Sequence, residues 1–356
     1  MVLASGVALG VYIPALLVER RLRRAGVDAT VAVLEALYHA DALAKLRRQR
    51  AAFRRDFELA CMTHRLVPDP AVGLDKDRVT SLLADWRRAC CRRFIVWSGF
   101  WLPILERYGT EIGSDALQVD LCRIDAVVST SFRRDSSLTR HGREVWLGNA
   151  ATQRIEHVLP VTDAPPIQFA DREPAYVVHG GGWGLGTYRA AVDTLAQRGQ
   201  QVHVVAYDRD EEAPRAEVTS WRIDPGFCAW TAGASGRHAF PSMLEATGAG
   251  RILARDDYHP FHDVIRGCRA IVSKPGGGTL IDSYAAATPL VFLPPYGEAE
   301  RHNGELWQRL GYGIAFTDWA ATGYDPAVVQ ELHQNLLRRP PDAVDYPARY
   351  AAELAG

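Results

Sequence analysis

One stretch constrains this chain more than any other: Ala270-Ile271-Val272-Ser273-Lys274-Pro275-Gly276-Gly277-Gly278-Thr279-Leu280-Ile281-Asp282. An apolar run, three successive glycines and a resumed apolar pattern read as a buried strand, a tight turn and the first turn of a helix. The glycines let the backbone turn sharply and keep side chains clear of a ligand. The helix aims its free N–H groups and the positive end of its dipole into that turn. Lys274 adds a full positive charge, so the expected occupant is a phosphate or pyrophosphate. Only three of the 41 basic residues are lysines, which draws attention to this one. The plainer reading of the same segment is an ordinary strand-to-helix loop beside a surface lysine.

The rest of the chain supplies the setting. Met1–Ala4 reads as a strand, Ser5–Gly10 as a turn, Ile13–Ala25 as a helix closed by Gly26, and Ala29–Leu34 as a second strand. Strand, helix, strand at this spacing implies a parallel sheet. Asp41–Ala60 reads as a basic helix, Pro68–Gly73 as a loop, and Ser81–Arg93 as a further helix. Phe94–Trp97 and Ala126–Val128 read as strands. The four prolines between Pro160 and Pro174 mark a linker. The pattern then restarts with strand Ala175–Val178, glycine loop His179–Thr187, a helix to Gln197 and strand Gln201–Ala206. That loop lacks the full G-x-G-x-x-G spacing, which argues against a dinucleotide dehydrogenase. Arg222–Gly250 shows no pattern that places it. His259–Arg266 reads as a short helix, Leu290–Leu293 as a strand, and Tyr296–Asn303 as a polar loop entering a helix. The fold class is therefore α/β with two Rossmann-like halves.

The segment from Ser273 to Asn303 resembles the donor-binding half of nucleotide-sugar glycosyltransferases with the GT-B fold. Those enzymes carry a glycine-rich turn, a helix bearing an acid, an apolar strand and a polar loop ending in Asn. The resemblance implies two Rossmann-like domains facing a cleft, with acceptor binding in 1–164 and donor binding in 165–356. It implies that Lys274, Gly276, Gly277, Gly278 and Thr279 hold the donor phosphates. Asp282 falls where the family places an acid on the ribose hydroxyls, and Glu300 and Asn303 match part of the loop that holds the sugar. Ala299 stands where that loop's first Asp or Gln would be. The second glycine turn, with Gly181, Gly182, Trp183 and Gly184, is expected to open onto the same donor. Ligands gather at the C-terminal ends of parallel strands, so Trp97, Ser98, Trp101 and Ser129 are expected on the acceptor side. Core packing is the competing fate of the two tryptophans.

Inverting members often keep a catalytic His in a Gly-His-x-x-Pro turn after the first strand. The similar segment here is Gly10-Val11-Tyr12-Ile13-Pro14, and Val11 cannot take a proton. Glu35 and His39, after the second strand, are the expected substitutes as general base. Their plainer readings are a helix N-terminal charge and a surface histidine. The implied function is transfer of a sugar from a UDP- or dTDP-sugar to a small-molecule acceptor such as a natural product, with inversion. The phosphate-binding groups would stabilise the departing diphosphate. No metal is needed, and the nucleotide sugar is a co-substrate rather than a cofactor. Three alternatives stand beside this: a nucleotide-sugar epimerase, a lipid glycosyltransferase at the membrane, and a non-catalytic nucleotide-sugar-binding partner protein. The segment Ser273–Gly277 also looks like the turn of bacterial diacylglycerol glucosyltransferases, and the basic helix would suit anionic lipid. A solvated charged face is the commoner use of such a helix.

Composition sets the compartment. With 356 residues, 47% hydrophobic and 23% charged, the chain has ample core for two soluble domains. A net charge of -1 gives no argument for nucleic acid. None of the six cysteines forms a C-x-x-C pair, so zinc-ribbon and thioredoxin-like chemistry are unsupported and reduced thiols are expected. The uncharged run Met1–Val18 precedes its arginines, the reverse of a signal peptide, and is short for a bilayer. A cytoplasmic protein from a high-GC bacterium is the expectation.

Overall fold

A computed structural model describes the chain except for residues 8, 64–69, 114–115, 134–135, 209–210, 212–214 and 248–249. In the first half, β1 (Val2–Ala4), β2 (Val31–Val33), β3 (Arg93–Val96), β4 (Gln118–Arg123) and β5 (Arg143–Trp146) form a parallel sheet ordered β2-β1-β3-β4-β5. Its helices are α1 (Leu9–Arg24), α2 (Ala40–Arg55), α3 (Phe57–Thr63), α4 (Lys76–Arg88), α5 (Leu102–Ile112) and α6 (Ser137–His141). The short strands β6 (Gly148–Asn149) and β7 (Arg154–Ile155) pair with each other, and β8 (His157–Val158) follows.

The second half carries a larger sheet. Its strands are β9 (Glu173–His179), β10 (Gln201–Val205), β11 (Val218–Ile223), β12 (Met243–Glu245), β13 (Ile252–Leu253), β14 (Cys268–Ser273), β15 (Leu290–Phe292) and β16 (Gly313–Ala315). They lie in the order β13-β12-β11-β10-β9-β14-β15-β16. The six parallel strands run third, second, first, fourth, fifth, sixth, the doubly wound Rossmann order, so the chain reverses direction between β9 and β14. The helices are α7 (Tyr188–Gln197), α8 (Phe261–Gly267), α9 (Gly277–Ala286), α10 (Glu298–Arg309), α11 (Phe316–Ala321) and α12 (Pro326–Leu337). Central strands buried on both faces, such as Ala270-Ile271-Val272, need the continuous apolar letters they have.

Several elements differ from the sequence expectation, each for a physical reason. Residues Gly10 to Pro14 form no turn; they are the opening of α1, with Pro14 inside the helix. The basic helix breaks at Asp56 into α2 and α3. The helix expected at 81–93 starts earlier, at Lys76, because Asp75 caps it by accepting from the N–H groups of Asp77 and Arg78. Of the loop expected at 68–73, residues 68 and 69 lie outside the described residues, and Pro70–Gly73 is a single 3-10 turn. Ala126–Val128 is not a strand; the strand is β4, ending three residues earlier. Its buried charges hide it, since Asp120 accepts from Arg143 at 2.5 Å and Arg123 reaches Glu144 at 2.7 Å.

The segment between β11 and β12 leaves its own sheet. Phe227, Ala229, Trp230 and Phe240 pack with α1 in the core of the first half, and Tyr12 donates its hydroxyl to Ala239 O at 2.8 Å. The chain end also returns. β17 (Val344–Asp345) pairs with β8, and α13 (Tyr346–Ala355) packs on the first half through Tyr346, whose hydroxyl donates to Asp120 at 2.7 Å. The division at residue 164 therefore separates the two sheets but not the last helix.

Candidate functional site

The C-terminal ends of the two sheets face each other across a cleft of about 1100 Å³. In the second sheet Ser273, at the end of β14, is the register partner of His179, at the end of β9, so both sit at the point where strand order reverses. A crevice opens at such a point because the flanking connections leave in opposite directions.

Lys274 follows Ser273 at the cleft wall and is 6% exposed. Its Nζ donates to Glu300 Oε1 at 3.2 Å, and Glu300 Oε2 accepts from Tyr296 N–H at 2.6 Å. Gly276 caps α9 in extended conformation, and Gly276, Gly277, Gly278 and Thr279 all line the cleft. A Cβ on Gly277 would come within 2.6 Å of Ile124 Cγ1 and 2.8 Å of its carbonyl oxygen. Only glycine lets the first half approach the helix end so closely. What approaches is the Asp125 carboxylate, whose Oδ1 lies 3.2 Å from where that Cβ would stand and which accepts from Asn303 Nδ2 at 2.9 Å. Burial pushes the Asp125 carboxyl up to about 6; the Glu300 charge adds to this, and the Asn303 hydrogen bond opposes it. Each of the two groups suited to a phosphate, the lysine and the helix end, thus already faces a carboxylate of the chain itself.

Asn303 is used differently from the expectation. It is 0% exposed and lies behind the cleft wall. Its Nδ2 also donates to Pro275 O at 2.9 Å, and its Oδ1 accepts from Ala126 N–H at 2.7 Å. Its amide is spent on joining the two halves, not on presenting a group to a sugar. Glu300 and Ala299 do line the cleft.

Asp282 lines the cleft one turn into α9. Its Oδ1 is 2.7 Å from His259 Nε2 and 3.1 Å from His262 Nδ1. Burial pushes the Asp282 carboxyl up, but the charge and hydrogen bonds of the two imidazoles outweigh it and hold the group well below the usual carboxylate range. Beside them, burial pushes His179 down to about 4, with the Asp282 charge pulling the other way. His179 Nδ1 accepts from Gly181 N–H at 3.1 Å, which leaves the ring proton on Nε2.

The second glycine loop is fixed from both sides. Gly181 and Gly184 take positive φ values of 70° and 68°, and a Cβ on Gly184 would strike the Tyr207 ring at 2.5 Å. Gly181, Gly182 and Trp183 line the cleft, whereas Gly184 supports the turn from beneath. From the first half, Trp183 is held by Val7 O, which accepts its Nε1–H at 2.6 Å, and by stacking on Phe53. Arg50 donates to Gly182 O, and Arg54 to Tyr207 O at 2.9 Å. Two arginines of the basic helix therefore reach the second half rather than a solvated or lipid-facing surface.

On the acceptor side, Ser98 and Ser129 line the cleft, joined by Phe100, Thr130 and Ser131. Trp97 and Trp101 do not: both are buried in the core of the first half, and Trp101 Nε1–H donates to Ala4 O at 2.7 Å. The chain turns through a 3-10 helix at Gly99–Trp101, and Ser98 and Phe100 face the cleft instead. Val11 lines the cleft from α1. Glu35 is buried at its edge, where Oε1 accepts from the Ser5 hydroxyl and Oε2 from Gly6 N–H, both at 2.6 Å. Burial pushes its carboxyl up against these hydrogen bonds. His39 is exposed on the cleft wall, with Nδ1 3.5 Å from Asp75 Oδ2.

Sequence reasoning missed Asp125, because the strand before it was placed too late. It also passed over the His259-x-x-His262 pair, whose carboxylate partner comes from another helix.

Neither a protein-family model nor a curated protein sequence matches the chain. Solved structures do. The spinosyn rhamnosyltransferase SpnG aligns at a TM-score of 0.55 with 14% identity, over 99% of this chain and 98% of that one. The Streptomyces sp. SF2575 glycosyltransferase SsfS6, complexed with thymidine diphosphate, aligns at 0.54 with 11% identity over the same shares. MurG of Acinetobacter baumannii aligns at 0.54 with 12% identity, again over 99% and 98%. The chain has the GT-B fold of nucleotide-sugar glycosyltransferases. The GT-B fold accounts for the two facing sheets and the cleft between them. Among the described residues, no helix of this GT-B chain is long and apolar enough to cross a membrane.

Proposed function

We propose that the protein is a glycosyltransferase that moves a sugar from a UDP- or dTDP-sugar to a small apolar acceptor with inversion. The observation that carries this is the meeting of buried Lys274 with the N-terminus of α9, at the reversal point of the second sheet, in a GT-B cleft. The donor diphosphate takes the places now held by Asp125 and Glu300, on the N–H groups of Gly277 and Gly278 and on Lys274. Those groups stabilise the charge that develops as the diphosphate leaves, so this step asks for no metal. Asp282 Oδ2 has no hydrogen-bond partner among the described residues and is the atom offered to a ribose hydroxyl.

The acceptor lies against Val11, Ile13, Leu46 and Phe100, an apolar wall from the first half. His39 takes the acceptor proton on Nε2 while Asp75, facing Nδ1, orients the ring. The acceptor oxygen then attacks the anomeric carbon as its bond to the diphosphate breaks. Glu35 is the second choice, since both its oxygens already hold the turn after β1. The six cysteines are unpaired, which fits the bacterial cytoplasm as the compartment. The test is incubation of the full chain with UDP- and dTDP-sugars and a panel of apolar hydroxylated acceptors, read by mass spectrometry and by NMR at the anomeric carbon. Acceptor-dependent release of nucleoside diphosphate with inverted product supports the reading. Isomerised nucleotide sugar without acceptor would make the protein an epimerase, and donor binding without turnover would make it a binding partner.

A further inference from the structure

The cluster on the α8 side of the cleft adds to Asp282 two histidines that the transfer reaction does not require. His259 and His262 bracket the start of α8, and Asp282 comes across from α9. Their ligating atoms, His259 Nε2, His262 Nδ1 and Asp282 Oδ1, all lie within 4.8 Å of one another. The distances to Oδ1 are 2.7 and 3.1 Å. Neighbouring ligand atoms around a tetrahedral ion with bonds of about 2.1 Å stand roughly 3.4 Å apart, so an outward shift of the carboxylate by about half an ångström admits one. The frame is rigid: His262 is 0% exposed, the two rings pack edge to face at 5.6 Å, and Tyr258 packs on His262 at 6.1 Å.

We propose that His259, His262 and Asp282 form a binding site for one divalent transition-metal ion of the zinc type. Two imidazole nitrogens and one carboxylate oxygen suit such an ion better than magnesium or calcium, which prefer oxygen throughout. Three protein ligands also leave a coordination position open. Because His259 and Asp282 line the cleft, that position faces whatever occupies it and takes an oxygen atom, from water or from a phosphate or hydroxyl group. Lys274 is the basic group at the end of the preceding strand, and its ammonium is engaged by Glu300. The site does not depend on the sugar-transfer reading, and its test needs no substrate.

The experiment is calorimetric titration of chelator-treated full-length protein with Zn²⁺ and with Co²⁺, the latter also followed by visible absorption. The expected result is one ion per chain and a cobalt d–d band typical of mixed nitrogen and oxygen ligands. His262→Gln and Asp282→Asn should weaken binding by more than the ~10–100-fold that loss of an outer-shell partner costs. Circular dichroism checks each variant, and His259→Gln, on the cleft wall, replaces either one that fails to fold. Glu173, His203 and Cys268, whose ligand atoms also lie within 4.8 Å of one another, and the adjacent Cys90 and Cys91 are the competing zinc ligands, and all stay in every variant. Binding that is equal in wild type and folded variants would place the ion elsewhere and overturn the proposal, as would no binding by folded wild type.

Discussion

Replacing Asp125 by Asn should tighten donor binding, although it removes a residue from the heart of the cleft. In the free protein this carboxylate stands beside Gly277 at the N-terminus of α9 and accepts from Asn303 Nδ2 at 2.9 Å. A donor phosphate needs the same helix end. A carboxylate left about 5 Å from a phosphate, at an effective dielectric of about 20, opposes it by roughly 3 kcal/mol. The carboxylate also gains about 0.3–1 kcal/mol from the helix dipole, which the ligand has to displace. Asn keeps the shape and one acceptor oxygen but neither of these terms. Allowing for solvent screening, the gain is about 1.5–3 kcal/mol, or roughly 10–100-fold in Kd. Isothermal titration with a UDP- or dTDP-sugar at pH 7.5 measures it. The nucleotide sugar is preferable to the free diphosphate, whose terminal phosphate titrates near pH 6 by itself. The pH dependence gives a second reading. As Asp125 titrates at about 6, wild-type affinity should rise as pH falls through that value, while the Asn variant shows no such step. The sign for folding is the same. A carboxyl raised above its unfolded value of about 3.9 contributes stability that is full below that value and lost as pH rises through the folded value. Unchanged or weaker binding by Asp125→Asn, or an identical pH slope, would refute the exchange of Asp125 for phosphate.

Lys274→Ala should weaken nucleoside diphosphate by about 1.5–3 kcal/mol while leaving nucleoside almost unaffected, since only the diphosphate pairs with the ammonium. Equal losses in calorimetry would mean that the lysine acts through folding. His39→Ala should lower kcat by about 10²–10⁴-fold with donor affinity nearly intact, whereas Glu35→Gln, a neutral isostere, should leave kcat near normal; steady-state kinetics with a working acceptor reverses the assignment if the pattern is swapped. Asn303→Ala strands Ala126 N–H and breaks the links to Asp125 and Pro275. Denaturant unfolding should show a loss of about 2–4 kcal/mol, and a neutral result would deny it the role of joining the halves.

The parts of the site that were legible in the sequence share one property: a local pattern specifies them. The glycines after β14, Lys274 and the helix behind them could be read directly, because a strand, a sharp turn and a helix leave their marks within thirteen residues. Gly181 to Gly184 were visible for the same reason. Trp97 and Trp101 were misplaced because nothing local says which face of a strand end meets a cleft, and large aromatics gain more from full burial. Asn303 looked like a ligand contact, since a buried amide and a ligand-facing amide have the same letter. The segment after β11 has no periodicity because its apolar residues, Phe227 and Phe240 among them, answer to α1, more than two hundred residues away. The Asp282 cluster joins residues twenty and twenty-three positions apart, and only the packing of α8 on α9 brings them together.

The most direct test of a nucleotide-diphosphate site at Lys274 and α9 is a calorimetric comparison of UDP and dTDP with uridine and thymidine on the unmodified chain. At least one diphosphate should bind one to one, and its nucleoside should bind at least about 100-fold more weakly, the ~2.7 kcal/mol that two charge-assisted phosphate contacts supply. Nucleoside and diphosphate binding with equal affinity, or no binding of either diphosphate, would contradict it.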